Sequence, residues 1–297
     1  MKKLLLILCS ALHFCIASAA PVNILIPVPP GGAFTKLGLS LSEYLTENGV
    51  ENIVTYHPGA NGEIGFAEAL RLKDNVIFGV SVSYAVVNPV VTEKVATYSD
   101  ALELVAPLVS VPLGFLSSNK NFKTLPELVS YAKANPLPCA VSAPYGFVEL
   151  TEINAKYGTR FEPIYYKGNT QIRVDLAEGS LKCGYDSLGS HVPLHEAKRI
   201  NILSTAKAIK DLDVPLTNTV FKEVGKANNW FGFGIPKNSN LLKDEKLMAL
   251  IKAFSKSKKL EEIYSLPGYA PETPDPNINK TMEKQTALYR QIYSKSK

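Results

Sequence analysis

The chain has few of the residue patterns on which catalytic and metal sites depend. It contains four cysteines and four histidines among 297 residues. Its close histidine pair, His191 and His195, has Pro193 between the two, and no nearby Cys, Asp or Glu completes a convincing ligand set. No Gly-x-Ser-x-Gly motif occurs, and no glycine turn runs into the Lys-Ser or Lys-Thr pair of a P-loop. We therefore predict no enzyme, no metal and no cofactor.

Strong charge of one sign and long apolar runs are lacking as well. The formal net charge is +5, and no segment is basic enough to indicate nucleic-acid binding. Beyond residue 16, no apolar stretch reaches the ~20 residues that a membrane-spanning helix needs. The length suffices for two lobes at about 100–150 residues per domain. These features predict a soluble globular protein with no nucleic-acid partner.

Residues 1–19 have the pattern of a cleaved export signal. Met1-Lys2-Lys3 is basic, residues 4–16 are apolar but too few to span a bilayer, and Ala17-Ser18-Ala19 is a small-x-small cleavage pattern. Loss of the two lysines lowers the net charge from +5 to +3. We expect a periplasmic protein; an uncleaved anchor is the less favoured alternative.

Apolar runs alternate with segments of helical period through most of the chain. This alternation predicts an α/β protein with parallel sheets covered by helices. The predicted strands are residues 24–28, 53–56, 76–82, 106–117, 139–142, 161–166, 182–186 and 200–204. The predicted helices are a segment through Leu37, Leu41 and Leu45, followed by residues 64–72, 125–134, 148–157, 246–254 and 281–293.

Two long aromatic runs punctuated by glycine, residues 111–116 and 230–236, interrupt the alternation. Each is placed to cross between two lobes, and two crossings imply a hinge. The predicted limits are 20–116 for the first part of lobe one, 117–229 for lobe two, and 230–297 for a crossing strand and the return to lobe one.

A turn rich in proline and glycine follows the first predicted strand. Pro29-Pro30-Gly31-Gly32-Ala33 leads into a helical segment, so backbone N–H groups at the helix start have no intrahelical partner. Because the turn holds no Lys or Arg before Lys36, the expected ligand is a small carboxylate and not a polyphosphate. A side chain at Gly32 is expected to block the ligand and to strain the turn. An ordinary tight turn is the alternative interpretation.

Six short motifs occur in the order and spacing of one known family. They are Pro29-Pro30-Gly31-Gly32-Ala33, His57-Pro58-Gly59-Ala60-Asn61-Gly62-Glu63-Ile64-Gly65, Asn88-Pro89, Tyr165-Tyr166-Lys167-Gly168, Asp186-Ser187 and Trp230-Phe231-Gly232. The chain thereby resembles the Bug or TctC-like family, extracytoplasmic solute-binding proteins of tripartite tricarboxylate transporters. The resemblance covers essentially the whole mature chain. It implies a two-lobed periplasmic binding protein fold of type II topology, with ligand enclosed between lobes that close about the crossing strands.

The resemblance also implies which residues hold ligand in lobe one. In relatives, two turns bind one ligand carboxylate through main-chain N–H groups and ordered waters. The matching residues are Pro30, Gly31, Gly32, Ala33, Phe34 and Thr35 in the first turn, and Pro58, Gly59, Ala60, Asn61 and Gly62 in the second. The next candidates from this lobe are Ser81, Ser83 and Tyr84.

Lobe two is expected to contribute residues at the ends of its strands, where α/β sheets bind ligands. The candidates are Ser142, Pro144, Tyr145, Gly146, Tyr166 and Asp186. Asp186 either accepts a hydrogen bond from ligand or caps the segment that follows it. Glu149 weakly matches a histidine of the relatives.

The first turn departs from the family pattern at Phe34 and Thr35. Many relatives read Gly-Gly-Ala-Thr-Asp, and that aspartate is placed to meet a ligand ammonium or to organise the pocket mouth. Without it, an ammonium in a closed cleft would be unpaired, at a cost of several kcal/mol. An amine-bearing ligand is therefore disfavoured. Phe34 either forms an apolar wall of the pocket or turns into the core.

The resemblance implies a receptor that delivers a small carboxylate to a tripartite tricarboxylate-type membrane permease, and we expect the protein to be a monomer. Presentation of ligand to a sensor protein is the alternative output, and a hydrolase, with His57 beside the second turn, is less favoured. The sequence sets neither the ligand's identity nor the output.

Cys139 and Cys183 are the cysteines that remain after signal removal. Cys139 lies three residues before Ser142, and Cys183 lies three residues before Asp186. If their strands are neighbours, the two cysteines therefore lie side by side in the sheet, within the distance that a disulfide allows. The periplasm favours oxidation, whereas a bridge directly across parallel strands is awkward and free cysteine is often buried. The sequence therefore leaves open whether the two cysteines form a disulfide or remain free thiols.

Overall fold

A computed structural model describes residues 20–91, 98–222, 229–272 and 277–295. The predicted signal segment, 1–19, lies outside the described residues. The strands are β1 Val22–Ile26, β2 Asn52–Tyr56, β3 Val76–Ser81, β4 Leu102–Ser110, β5 Leu113–Ser118, β6 Leu137–Val141, β7 Phe161–Tyr165, β8 Cys183–Ser187, β9 Ile200–Ile202, β10 Trp230–Pro236 and β11 Ala270–Pro271. The helices are α1 Ala33–Glu47, α2 Glu63–Leu72, α3 Asn88–Val91, α4 Tyr98–Ala101, α5 Leu125–Ala134, α6 Pro144–Tyr157, α7 Asn169–Glu178, α8 Val192–Glu196, α9 Glu245–Phe254, α10 Lys258–Tyr264 and α11 Ile278–Lys295. Within this described part of the chain, no helix is long and apolar enough to span a membrane.

The strands form two sheets, which confirms the two-lobed α/β fold. A six-stranded sheet has the order β11-β4-β10-β3-β1-β2, and a five-stranded sheet has the order β7-β6-β8-β5-β9. We call the first sheet with its helices the first lobe, and the second sheet with its helices the second lobe. The chain leaves the first sheet after Ser110 and enters the second at Leu113. It returns through Asn229, whose carbonyl accepts the Val111 N–H at 2.9 Å, so the two crossing segments lie side by side.

The prediction of parallel sheets is correct for only part of each sheet. β1 is parallel to β2 and β3, and β6 is parallel to β7 and β8. However, β10 is antiparallel to β3 and β4, and β5 is antiparallel to β8 and β9. β5 and β10 run against their neighbours because the chain enters each sheet through them directly from the opposite lobe, with no helical crossover to restore its direction.

The predicted single strand over residues 106–117 is two strands. The break falls at Val111 and Pro112, because proline has no N–H for a ladder hydrogen bond and restricts the residue before it. The chain therefore changes sheets before residue 116, the predicted end of the first part of lobe one. Residues 230–236 form β10 within the first sheet. The domain limits stay a prediction.

Local sequence explains where several helices begin and which side they bury. α1 buries Leu37, Leu41 and Leu45, and Gly38 allows it close to β1, since a Cβ there would lie 2.8 Å from Ile26 Cδ1. At α5, Thr124 caps the helix by accepting the Glu127 N–H, and the Glu127 carboxylate accepts the Lys123 N–H.

Two helices of the second lobe differ from expectation. α6 begins at Pro144, four residues before the predicted start at 148, because proline suits the first turn of a helix. α7 was not predicted, since it buries only Ile172 and Leu176 and thus has a narrow apolar stripe.

Cys139 and Cys183 face each other in register on the adjacent strands β6 and β8. Their Cα atoms are 4.5 Å apart, both side chains are fully buried, and the structure joins them by a disulfide. Of the two alternatives that the sequence left open, the structure therefore contains the bridge.

We expect alkylation of the denatured, unreduced mature protein to add no groups, and alkylation after reduction to add two, as measured by intact mass. The bridge closes a loop with a sequence separation of 44, so reduction should lower the free energy of unfolding by about 2–4 kcal/mol. Two added groups without reduction would contradict the bridge.

Candidate functional site

A cavity of about 670 Å³ lies between the lobes, within the size range of small-molecule sites. From the first lobe it is lined by Pro27, Val28, Pro29, Pro30, Gly32, Ala33, Phe34, Pro58, Gly59, Ala60, Asn61, Gly62, Ser81, Ser83 and Tyr84. From the second lobe it is lined by Ser142, Ala143, Tyr166, Lys167, Gly168, Asn169, Thr170, Ser187, Gly189 and Ser190. The crossing segments and the chain that follows them add Val111, Asn229, Phe231 and Tyr269.

Most of the predicted site residues line this cavity, and five of those whose side chains the structure describes do not. The five are Gly31, Thr35, Tyr145, Gly146 and Asp186. The N–H of Gly31 donates to Thr35 Oγ1 at 2.8 Å, so these two residues satisfy each other within the turn. Gly146 packs against Val141, and the side chain of Pro144 lies outside what the structure describes.

The start of α1 opens onto the cavity. Gly32 precedes the helix, no side chain caps it, and the first turn contains no acidic residue. The first N–H groups of α1 are therefore available to an anion, whose charge the helix dipole favours. Gly32 has a φ of −105°, and a Cβ there would meet nothing within 4 Å. The expected strain at this glycine was therefore wrong: a side chain would fit the backbone and project into open space.

The second turn has an unusual backbone. Gly59, Ala60, Asn61 and Gly62 all have positive φ, at 129°, 45°, 52° and 89°. For Ala60 and Asn61 this conformation costs roughly 1–2 kcal/mol each, and such strain is concentrated at binding sites. α2 begins directly after this loop, and Glu63 lies in the first turn of the helix. The dipole of α2 therefore already has a negatively charged partner. Of the two helix starts beside the cavity, only that of α1 lacks an acidic residue in its first turn.

Three aromatic rings form one wall of the cavity. The Phe34 ring lies 5.9 Å from that of Tyr84, nearly parallel, and 4.8 Å from that of Phe231, edge to face. Gly79 of β3 makes room for Phe34, since a Cβ there would lie 3.0 Å from Phe34 Cδ1. Phe34 is only 3% exposed. The sequence left open whether it forms a wall of the pocket or part of the core, and in the structure it does both.

Asp186 lies behind the cavity surface instead of on it. Its Oδ1 accepts a hydrogen bond from Ser142 Oγ at 2.5 Å, and its buried Oδ2 has no partner within the described part of the chain. Burial raises the pKa of Asp186 to about 6, although hydrogen bonds from Ser142 and the Ser187 backbone oppose this. Asp186 therefore acts on the cavity through Ser142, the neighbour that lines it.

The sequence prediction missed several lining residues. Four of them lie inside the motifs that carry the family resemblance, so the sequence held a signal for them. They are Lys167, Gly168, Ser187 and Phe231. Others could be found only from the fold, namely Val111, Asn169, Thr170, Gly189, Ser190, Asn229 and Tyr269. Lys167 is the only charged side chain among the described lining residues.

Residues 39–282 match the family model described as TctC, the tripartite tricarboxylate transporter family receptor. The chain belongs to this family. Its members are solute receptors, which confirms the prediction that the chain is not an enzyme. TctC receptors are also what the six sequence motifs predicted.

One protein sequence and two solved structures are similar over most of the chain. Protein BugT of Bordetella pertussis is 25% identical over 278 residues, covering 86% of this chain and 83% of its own. The structure of an R. palustris protein with adipate has a TM-score of 0.82 at 20% identity, covering 93% of this chain and 97% of that one. MatC from Rhodopseudomonas palustris with bound malate has a TM-score of 0.78 at 17% identity, covering 92% and 98%.

Outside the cavity, this TctC receptor buries a carboxyl group among tyrosines. Glu149 on α6 is 3% exposed; Oε1 accepts from the Tyr145 hydroxyl at 2.7 Å, and Oε2 accepts from the Tyr185 hydroxyl. The ring of Tyr289 on α11 meets that of Tyr145 edge to face at 5.8 Å. Burial raises the pKa of Glu149 to about 7, against the two tyrosine hydrogen bonds. Tyr145 is thus engaged with Glu149, which explains its absence from the cavity wall.

Replacement of Glu149 by Gln should change how stability depends on pH. The folded-state pKa of Glu149 is raised, so its contribution is fully present at low pH and is lost as pH rises through about 7. We expect Glu149→Gln to melt several degrees above the wild type at pH 8 and closer to it at pH 5. Asp186, with a pKa of about 6, acts in the same direction, and buried His191, with a pKa lowered to about 4, acts in the opposite one.

Because Asp186 and His191 are unchanged in the variant, the difference between variant and wild type isolates Glu149. Glu162→Gln, at an exposed position on β7, is the matched control. Parallel melting curves for Glu149→Gln and wild type from pH 5 to 8 would contradict the assignment.

Proposed function

We propose that the protein is a periplasmic receptor that captures a small carboxylate lacking an α-amine and delivers it to a tripartite tricarboxylate-type permease. The observation that carries the proposal is the start of α1, whose uncapped N–H groups open into the cavity with no acidic residue in the first turn. Relatives solved with adipate and with malate support a carboxylate ligand. The signal pattern of residues 1–19 supports the periplasmic location.

The two turns supply enough hydrogen bonding for useful affinity. A hydrogen bond to a charged group contributes about 1.5–3 kcal/mol. Three or four such bonds from the turns at Gly32 and Gly59–Gly62 would support micromolar binding after the costs of ordering the ligand and the lobes.

The lining disfavours an amine on the ligand. No acidic side chain is among the described lining residues, and Thr35, whose Oγ1 accepts the Gly31 N–H, stands where many relatives have aspartate. The carboxylate of Asp186 in the second lobe accepts a hydrogen bond from Ser142, which lies between it and the cavity. An ammonium enclosed here would lose its hydration without gaining a counter-charge.

A receptor of this kind could instead present its ligand to a sensor protein. The cavity would be the same, so the cavity does not separate transport from sensing. We propose transport because the matched family is described as the receptor of a transporter.

We also propose that the receptor acts as a monomer, as expected from the sequence.

The ligand class can be tested on the purified protein. Mass spectrometry of the small molecules released on denaturation should find a carboxylate without an α-amine. In a thermal-shift screen, such acids should rank ahead of aspartate and glutamate, and ligand at 100 times its Kd should stabilise the fold by about 2.7 kcal/mol. An amino acid as the best hit would contradict the argument from Thr35, which stands in place of the aspartate.

Replacement of Gly32 by Val should abolish carboxylate binding and leave the fold intact. The backbone at Gly32 accepts a side chain and the space beside it is open, so the valine would fill the anion site without distorting α1. Calorimetry gives the affinity and thermal melting the stability. Leu39→Val, at an exposed position on the same helix, is the control that should bind normally. Unchanged affinity in Gly32→Val would remove this turn from the site.

A further inference from the structure

The cavity has a different character at its two sides. Around the start of α1 it offers backbone donors, whereas the wall beside that helix consists of the rings of Phe34, Tyr84 and Phe231. Four prolines of the first lobe, Pro27, Pro29, Pro30 and Pro58, extend this apolar surface. A ligand that holds a carboxylate at α1 thus meets rings with the rest of its body.

The aromatic wall is built to stay in place. Phe34 is held between Tyr84, Phe231 and the backbone of Gly79, where a Cβ would collide with its ring. Tyr84 in turn packs on Gly62 of the second turn, whose Cβ would lie 3.1 Å from Tyr84 Cδ1. Rings fixed in this way lose little freedom when a flat ligand stacks on them.

A further ring reaches the cavity from the chain after α10. Tyr269 lies on Gly189 of the second lobe, where a Cβ would be 2.7 Å from Tyr269 Cε2. Tyr269 is only 9% exposed. The cavity therefore has aromatic surface on the first lobe and a tyrosine seated against the second.

The charges of the lining argue against a second carboxylate on the ligand. Lys167 is the only charged side chain among the described lining residues, and it is exposed. An ion pair with an exposed lysine contributes little, because water screens the charges and the side chain must be ordered. A dicarboxylate would thus have one strong anion site and one weak one, and its alkyl chain would not use the rings.

We propose that the preferred ligand is an aromatic monocarboxylate, whose ring packs on Phe34, Tyr84 and Phe231. The inference rests on the proposed function, since it assumes the carboxylate site at α1. Stacked and edge-to-face ring arrangements are favourable beyond the burial of area, so the wall distinguishes a flat ring from an aliphatic chain or a saturated ring of equal carbon number.

The test is calorimetry of the wild type with benzoate, phenylacetate, cyclohexanecarboxylate, hexanoate and adipate. The better of the two aromatic acids should bind at least tenfold more tightly than cyclohexanecarboxylate and adipate. Phe231→Leu, which removes the least buried of the three rings, should weaken aromatic binding about tenfold and change adipate binding less than twofold. Phe122→Leu is the matched control, because Phe122 packs on Tyr131 and does not line the cavity.

Each result decides between the two proposals. Adipate or cyclohexanecarboxylate binding as tightly as the aromatic acids would overturn the inference and leave the carboxylate receptor standing. Equal loss of aromatic and adipate affinity in Phe231→Leu, with normal melting, would also overturn it. Failure of every acid to bind, with an amine-bearing molecule released from the protein, would overturn the proposed function itself.

Discussion

The architecture of the site depends on one backbone contact, the hydrogen bond from the Val111 N–H to the Asn229 carbonyl. It holds the two crossing segments side by side. The chain therefore enters each sheet close to the point at which it leaves the other. Pro112 ends the first sheet's ladder at that point, because it has no N–H to continue it. Both residues of this hydrogen bond line the cavity, so the hinge is also part of the cavity wall.

The electrostatics of the cavity are set by backbone more than by side chains. The start of α1 and the left-handed turn at Gly59–Gly62 supply donors, while the described lining contains a single charged side chain, Lys167. The ionisable groups with the largest consequences lie behind the surface. Asp186 acts through Ser142, and Glu149 is enclosed by Tyr145 and Tyr185. In the proposed receptor, these backbone donors bind an anion without a lysine or arginine that would bind polyphosphates equally well.

The sequence predicted the two lobes, the family and the first-lobe turns, because these rest on local patterns of glycine, proline and apolar period. It placed Asp186 at the cavity, yet β8 is buried on both faces from Cys183 to Asp186, so no alternation of polar and apolar residues showed which way the side chain points. The start of α6 carried a readable signal in Pro144. Tyr269, in contrast, meets Gly189 only through the fold, and no local pattern could have paired them.

Phe34 links ligand preference to the stability of the first lobe. The next residue, Thr35, stands where many relatives have aspartate and accepts the Gly31 N–H within the turn. Phe34 instead fills space over Gly79 and supports the rings of Tyr84 and Phe231, so its replacement would leave a void beside β3 as well as a changed wall. Tyr84 then rests on Gly62, which connects the wall to the second turn. The apolar wall and the turns that we propose to hold the carboxylate are therefore connected by packing, and under that proposal a change in ligand class would require several of these residues to change together.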